Sequence, residues 1–331
     1  MSSPSSVGST SPDIWKSEFI DLLNKPTFAE AKVAQAQALK IHNAPPFVYR
    51  YRKFNDFAES ELLEGYVWLS HPDDYNDPFD SALLISEEVL LKKFFKARPD
   101  FLIDYPTLAP FFTDSERHHA KSSDDPFKTA YEILQAKGAL PATISPDEMF
   151  RIFMEAAQAA NADRRATRYS GLKNTIRISC FCENFSSVLM WSHYAENHTG
   201  ICIEYATKDL FKNPEIAAFL YPVIYKSERF NSTDHFDPIG VGDVNILSPT
   251  LASCHKSPDW SYEKEWRLVM PFDSATTDQK FSLNTLPSRI LVGAKVTSAN
   301  LQKIKELAAK IPVPIVAVGE MSETTFSINF K

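Results

Sequence analysis

The chain is organised around residues 259–270, which read Asp259-Trp260-Ser261-Tyr262-Glu263-Lys264-Glu265-Trp266-Arg267-Leu268-Val269-Met270. This stretch begins as a polar, aromatic loop and ends as an apolar strand. Glu263 and Glu265 are two residues apart, and side chains at that spacing share a face of an extended chain. Two neighbouring carboxylates beside aromatic residues are costly to desolvate unless a positive charge or a hydrogen-bond donor shares them. The pair is therefore a candidate functional site.

The bulk composition is that of an ordinary globular protein. The chain has 331 residues, of which 44% are hydrophobic and 23% charged, enough apolar material for a sizeable core. The net charge of −7 argues against a general binder of nucleic-acid backbones, but it is compatible with one local basic groove. The first residues lack a signal-peptide pattern, and no apolar stretch approaches the roughly 18 residues of a membrane span. We therefore expect a cytoplasmic protein without a membrane partner.

The order of the predicted elements indicates an α+β fold. Residues 1–12 are expected to form a disordered tail and residues 13–46 two helices. A catalytic-like α+β domain is predicted over residues 47–331, with a helical insertion at about 86–172 in which residues 98–144 look irregular. After residue 170 the strands outnumber the helices and rarely alternate with them. This pattern favours a mixed, mostly antiparallel sheet over a doubly wound α/β fold.

Two arginines on the first predicted strand form a second candidate group. Arg50 and Arg52 lie two residues apart in Phe-Val-Tyr-Arg-Tyr-Arg, so they share a face of the strand. They are either a solvated strand face or a clamp for phosphate or carboxylate, for which the planar guanidinium is well suited.

A loop and a short helix supply the remaining candidates. Residues 70–80, with Tyr75, Asn76 and Asp77, are either an ordinary turn or a loop that orients a ligand. His193 lies near the end of a short predicted helix and is a base, a ligand contact or a histidine satisfied by the helix end. Cys180 and Cys182 lack the spacing of usual zinc motifs, so no metal site is assigned. The sequence also lacks a Gly-rich phosphate loop, a Gly-x-Ser-x-Gly elbow and a His-Glu-x-x-His motif.

Taken together, these motifs resemble a bacterial family known as domain of unknown function 2971. The resemblance lies in five short motifs, at residues 49–52, 68–80, 179–183, 189–202 and 262–267. It extends over about residues 47–295 and leaves out the N-terminal helices and much of residues 86–172. The family name implies no activity.

A second resemblance does imply one. The order of three features is similar to the Arg-Ser-Glu layout of ADP-ribosyltransferases: an arginine on a first strand, a serine on a second strand, and Glu-x-Glu entering a late strand. That layout implies that Arg50 or Arg52 holds the phosphate or ribose side of NAD, and that Ser70 supports the glutamate. It also implies that Glu265 hydrogen-bonds the nicotinamide ribose and that Glu263 orients the acceptor. The family's Ser-Thr-Ser triplet is absent, because His-Pro follows the serine.

The predicted substrate is NAD or a similar nucleotide. Aromatic side chains such as Trp68, Tyr75 or Trp266 could stack on nicotinamide or adenine, and a fixed carboxylate would stabilise the positive charge that develops on the ribose. We therefore predict an NAD-dependent ADP-ribosyltransferase-like enzyme, with a bacterial toxin or phage-defence effector as its context. The acceptor stays open between protein, nucleic acid and small molecule.

Two other functions compete with this prediction. Asp77, Asp80, Glu183 and Glu265 could gather a divalent metal in a nuclease or phosphodiesterase. Alternatively, the same polar residues only join loops in a non-catalytic binding module. The transferase prediction requires Arg50 or Arg52 to converge with the serine and Glu265 on one cleft, and arginines on the far side of the sheet from Glu265 would count against it.

Overall fold

The computed structural model describes residues 14–160, 171–237, 243–273, 278–311, 313 and 316–331. The predicted tail, residues 1–12, lies outside these residues. The helices with defined bounds are, in chain order, Ile14–Leu23, Val33–Asn43, Asp56–Glu64, Glu87–Ala97, Asp100–Ile103, Asp114–Ser122, Pro126–Ala136, Pro146–Ala160, Val188–Tyr194, Thr207–Leu210, Pro214–Phe219, Ser248–Ser253 and Ser298–Lys310. Short 3-10 turns are formed by Pro72–Asp74, Ala109–Phe111, Thr233–His235 and Pro258–Glu263. Within the described residues no helix is both long and apolar enough to cross a bilayer.

Twelve strands are defined in the described part of the chain. They are β1 Phe47–Arg52, β2 Tyr66–Trp68, β3 Ile176–Cys182, β4 Ile201–Ala206, β5 Leu220–Pro222, β6 Ile224–Tyr225, β7 His255–Lys256, β8 Glu265–Pro271, β9 Lys280–Ser282, β10 Arg289–Val292, β11 Val316–Met321 and β12 Ile328–Phe330. Eight of them form one sheet in the order β12-β11-β10-β4-β1-β3-β8-β5. Within it β10 and β11 are parallel and the other pairs are antiparallel. The predicted α+β class with a mixed, mostly antiparallel sheet is confirmed.

The strand that follows the Glu-x-Glu motif lies within the apolar core. In β8, Trp266 and Leu268 are completely buried and pack in the largest apolar cluster, whereas Val269 belongs to a second cluster. The first helix contributes Phe19, also completely buried, to that second cluster. Since a residue buried in this way contributes roughly 1.5–3 kcal/mol of transfer free energy, the N-terminal helices stabilise the sheet.

The segment from 98 to 144 is helical, so the prediction that it is irregular is wrong. Two of its helices begin at polar caps: Thr113 and Glu116 form a capping box, and the Asp125 side chain accepts from the Lys128 amide. These signals are single residues among many prolines and charges, which hid the helical periodicity. The helices of this segment bury their own small apolar cluster, which includes Ile103 and Leu134.

The helix Asp56–Glu64 positions a buried acid under the first strand. Asn55 caps this helix by accepting from the Ala58 amide, while Gly65 ends it in the left-handed conformation at φ 68°. The short turn brings β2 close to the helix, and Glu61, only 4% exposed, accepts from the Trp68 amide at 3.1 Å. The helix thereby places a carboxylate beside the strand that carries the two arginines.

Candidate functional site

A cavity of about 190 Å³ lies between β1 and β3 and is closed on one side by the loop after β2. Most of the residues predicted from the sequence line it: Arg50, Arg52, Trp68, Ser70, Tyr75, Asn76, Glu263 and Glu265. The wall is completed by Tyr49, Tyr51, residues 178–182 of β3, Met190, Tyr194 and Lys256.

The cavity exists because the sheet opens between β1 and β3. These strands pair at Tyr49 and Cys182. Earlier in β3, Ile178 instead forms an isolated β-bridge with Ser70, which lies after β2. Cys182 pairs in turn with Glu265, so Glu265 shares a face with Tyr49, and Arg50 belongs to the opposite face. By strand alternation alone, the arginines are therefore on the far side of the sheet from Glu265. Residues from both faces line one cavity because the cavity occupies the gap between the strands.

At one end of the cavity the two arginines share a single acid. Arg50 Nη2 lies 3.1 Å from Glu61 Oε1, and Arg52 Nε lies 2.9 Å from Glu61 Oε2. Arg50 Nη1 also donates to the Ser179 hydroxyl and, at 3.2 Å, to the Cys180 carbonyl. Two guanidinium groups against one carboxylate leave this end with a net positive charge.

At the other end the two glutamates meet, but not as the sequence predicted. Glu263 closes a 3-10 turn and Lys264 is left-handed at φ 44°, so the chain is not extended between Glu263 and Glu265. The premise of a shared strand face is wrong. The carboxylates are brought together by Lys256, whose Nζ lies 2.6 Å from Glu263 Oε2 and 3.3 Å from Glu265 Oε2. A left-handed non-glycine residue is uncommon and marks a constrained backbone at this motif.

Glu265 is also paired with a completely buried arginine. Arg267 Nε and Nη2 donate to its two oxygens at 3.1 and 3.0 Å, and both Nη groups donate to Asp80 at 2.7 Å. A fifth donor is satisfied by the Ser253 carbonyl at 2.7 Å. All five donors of the guanidinium are thus used. Asp80 therefore holds Arg267, and Arg267 holds Glu265.

The two glutamates differ in acidity. Burial, the largest single effect, raises the pKa of Glu265, but the Arg267 guanidinium, Lys256 and the hydrogen bonds to the carboxylate together hold that pKa well below its usual range. Burial and the Glu265 carboxylate raise the pKa of Glu263 against the opposing effect of Lys256. The Tyr194 hydroxyl donates to Glu263 Oε1 at 2.6 Å. One carboxylate is therefore kept ionised and the other is suited to proton transfer.

Two serines lie along the opening. Ser70 lines the cavity and is fixed by backbone hydrogen bonds to Ile178, with both N···O distances at 2.9 Å. Ser179, only 2% exposed, is the serine that contacts an arginine, because Arg50 Nη1 donates to its hydroxyl. Ser70 has no such contact within the described residues.

Three predicted residues do not line the cavity. His193 is exposed and lies beside Tyr262, with ring centroids 6.3 Å apart. Asp77 is buried and accepts from the Phe79 amide at 2.9 Å, which is ordinary turn chemistry. Trp266 is completely buried and donates to Glu183 at 2.7 Å, so it does not stack on a ligand in this cavity.

The four carboxylates proposed for a metal have separate partners. Asp80 pairs with Arg267, Asp77 caps its own turn, and Glu183 accepts from Trp266 and from Lys16 at 3.1 Å. Among the residues that the structure describes, no three His, Cys, Asp or Glu side chains are grouped as metal ligands. The alternative of a metal site built from these four residues is therefore wrong.

Several residues of the site were missed by the sequence reasoning. They are Glu61, Ser179, Tyr194, Lys256 and Arg267. Ser179 had a signal, since it is the first residue of the family motif at residues 179–183. Glu61 and Lys256 had none, because each reaches the site from an element that carries no recognisable motif.

The family model described as "Protein of unknown function (DUF2971)" matches residues 190–268. This stretch contains Tyr194, Lys256, both glutamates and Arg267, so it covers the carboxylate end of the cavity. The match confirms the resemblance for that part of the chain. No curated protein and no solved structure matches the sequence.

Proposed function

We propose that this chain, which contains a region of the DUF2971 family, is an ADP-ribosyltransferase-like enzyme that uses NAD as its substrate. The proposal assigns Arg50, Ser179 and Glu265 to the Arg-Ser-Glu layout. Glu263 is the acceptor-side glutamate, and Arg52 assists Arg50. Ser179 replaces Ser70, because Ser179 is the serine in contact with the arginine.

The observation that carries the proposal is the position of these residues on adjacent strands. β1 carries Arg50, its neighbour β3 carries Ser179, and the next strand, β8, begins with Glu265. Arg50, Ser179 and Glu265 are thus on three successive strands although they are far apart in sequence, with Arg50 and Ser179 on one face of the sheet and Glu265 on the other. All three contribute to the wall of one cavity.

The charge distribution along the cavity supports a ligand with two unlike ends. The arginine end has two guanidinium groups against Glu61, whereas the glutamate end has three carboxylates, including Asp80, against Lys256 and Arg267. NAD carries an anionic pyrophosphate and a cationic nicotinamide. The pyrophosphate suits the arginine end, and the nicotinamide ribose suits the glutamate end.

The opening of the sheet determines how such a ligand would lie. Arg50 and Glu265 belong to opposite faces, so NAD has to pass through the gap between β1 and β3 to reach both. The cavity of about 190 Å³ is smaller than the roughly 300–1,000 Å³ of typical ligand pockets. It therefore takes the nicotinamide riboside end of NAD, while the remainder follows the gap toward Arg52 and the exposed Trp68.

The chemistry follows from the two acidities. The bond from C1′ of the ribose to the pyridinium nitrogen breaks, its electron pair stays on nitrogen, and neutral nicotinamide leaves. Ionised Glu265 stabilises the positive charge that develops on the ribose. An oxygen or nitrogen of the acceptor, or water, forms the new bond to C1′, and Glu263 takes the proton that it loses.

The test is release of nicotinamide from NAD by the full chain. We expect Glu265→Gln to lower the rate by about 100-fold or more and Arg52→Gln to raise the KM for NAD. Glu64→Gln is the matched control, because Glu64 is an exposed glutamate paired with Lys280.

Glu265→Gln also disturbs a buried ion pair, so its folding has to be checked separately. Ser179→Ala is the second variant, and NAD should raise the melting temperature of the wild type. The proposal is contradicted if the wild type releases no nicotinamide and NAD does not change its melting temperature. Stabilisation by NAD without any release would indicate a binding module.

A further inference from the structure

A second cavity lies on the other side of Lys256 from the first. It has a volume of about 280 Å³ and is lined by the segment after β6 and by the loop that follows Asp77. Lys256 lines both cavities. Because Lys256 contacts Glu263 and Glu265 directly, the second cavity adjoins the glutamate end of the first and not the arginine end.

The second cavity is cationic in a chain that is acidic as a whole. Lys226 and Arg229 line it, and neither has a salt-bridge partner among the described residues. Arg229 donates to the Leu83 carbonyl at 2.7 Å, which fixes the guanidinium but leaves its charge uncompensated. Glu228 is the acid in the lining, and it accepts from Ser227 at 2.7 Å. One ammonium group, that of Lys226, and one guanidinium group, that of Arg229, therefore share the lining with a single carboxylate and with Lys256.

Aromatic and acceptor groups accompany these charges. Phe79 lines the cavity and is 65% exposed, so one ring face is open to a ligand. The His255 ring lies 4.8 Å from that of Phe230, and its Nδ1 donates to the Leu251 carbonyl at 2.7 Å. In the neutral ring Nε2 is then an acceptor. Cations, an open aromatic face and a fixed acceptor are the three groups that recognise a nucleoside phosphate.

We infer that the second cavity is the acceptor subsite and that it takes a nucleotide, either free or at the end of a single strand. The phosphate lies against Lys226 and Arg229, and the base stacks on Phe79. The role as acceptor subsite rests on the proposed function, because it is the glutamate end that receives the reactive ribose. A cationic acceptor such as an arginine side chain is disfavoured, since Lys256 already neutralises Glu263 and two further cations line the approach.

The experiment is a calorimetric titration of the full chain with 5′-AMP. We expect Lys226→Glu or Arg229→Glu to weaken binding by about tenfold or more. Lys303→Glu is the matched control, because Lys303 is exposed and lines neither cavity. Phe79→Ala should weaken AMP but not inorganic phosphate. A short single strand that binds more tightly than AMP identifies nucleic acid as the source of the nucleotide.

The outcomes separate this inference from the proposed function. If AMP does not bind the wild type, or if it binds Lys226→Glu and Lys303→Glu with equal affinity, the nucleotide site is overturned. A raised KM for NAD in Lys226→Glu overturns the acceptor role, because the cavity would then hold the adenylate half of the donor. Charge-dependent AMP binding without any nicotinamide release refutes the proposed function and leaves the nucleotide site standing.

Discussion

Arg267 shows how one residue controls the geometry of the candidate site. Its guanidinium is completely buried and is shared between Asp80 and Glu265. Because Asp80 lies nearly two hundred positions earlier in the chain, this pair joins the loop after β2 to the start of β8. Asp80, the last residue of the Asn-Asp-Pro-Phe-Asp stretch at residues 76–80, is thus explained by an ion pair, and not by contact with a ligand.

We predict that Asp80→Asn destabilises the protein by about 3–5 kcal/mol, because it leaves a buried guanidinium with one carboxylate fewer. The free energy of unfolding in urea measures the loss. Asp73→Asn serves as control: Asp73 is 58% exposed and pairs with Lys173 at 2.7 Å. That change should cost less than about 1 kcal/mol. Similar losses in the two variants would show that the buried network contributes little.

At the scale of elements, the second helix is attached to the sheet region by an unusual lysine. Lys40 is completely buried, and its Nζ donates to the Ala217 and Ala218 carbonyls at 2.6 and 3.2 Å. The ammonium also lies 5.1 Å from the centre of the Tyr221 ring. Burial lowers the pKa of Lys40 to about 7. The N-terminal helices are therefore joined to the helix Pro214–Phe219 by a group that loses its proton readily.

This lysine gives a pH dependence with a definite sign. Between about pH 7 and its ordinary pKa of 10.5, the unfolded chain holds a proton that the folded chain has lost. Stability therefore rises with pH in this window, by at most about 1.4 kcal/mol per pH unit, and the gain is lost as pH falls through 7. We expect urea unfolding from pH 7 to 10 to show the wild type gaining stability relative to Lys40→Met. Lys303→Met changes an exposed position, so the difference in unfolding free energy between it and the wild type should not vary with pH. If the wild type and Lys40→Met have parallel stability profiles from pH 7 to 10, the lowered pKa of Lys40 is contradicted.

For the whole molecule, the inserted helices and the sheet have separate apolar cores. The cluster around Leu134 contains residues only from about 102 to 140. The start of the inserted segment is linked to the rest of the chain by polar contacts that include the Lys93–Asp234 pair at 2.7 Å and the hydrogen bond from the Ser86 amide to Thr233 at 2.7 Å. We therefore expect residues 87–160 to unfold as a unit of their own, at a lower free energy than the sheet.

Hydrogen exchange tests this expectation. Leu134→Ala should destabilise the local cluster by about 2–5 kcal/mol and speed exchange in residues 87–160, while β1, β3 and β8 keep their protection. Ile203→Ala, which removes a buried side chain from β4, should instead speed exchange throughout the sheet. Uniform loss of protection in Leu134→Ala would mean that the protein has one cooperative core.

The sequence by itself determined the local features of this protein. Residues 47–52 were predicted as the first strand, and the order of elements indicated the α+β class. These features depend on neighbours within a few residues, which a sequence displays directly. The same reasoning singled out the two arginines and the two glutamates because each pair is two residues apart, and Ser70 because the order of motifs resembles the Arg-Ser-Glu layout.

Only the tertiary structure decided how those groups are arranged. Strand order placed Arg50 beside Ser179, a contact that the spacing of the sequence did not indicate. The opening between β1 and β3 brought side chains from opposite faces into one cavity. Lys256, and not an extended strand, joined the two glutamates. Such contacts link residues separated by tens to hundreds of positions. They depend on the packing free energy of the whole chain, and the spacing of neighbouring residues carries no information about that free energy.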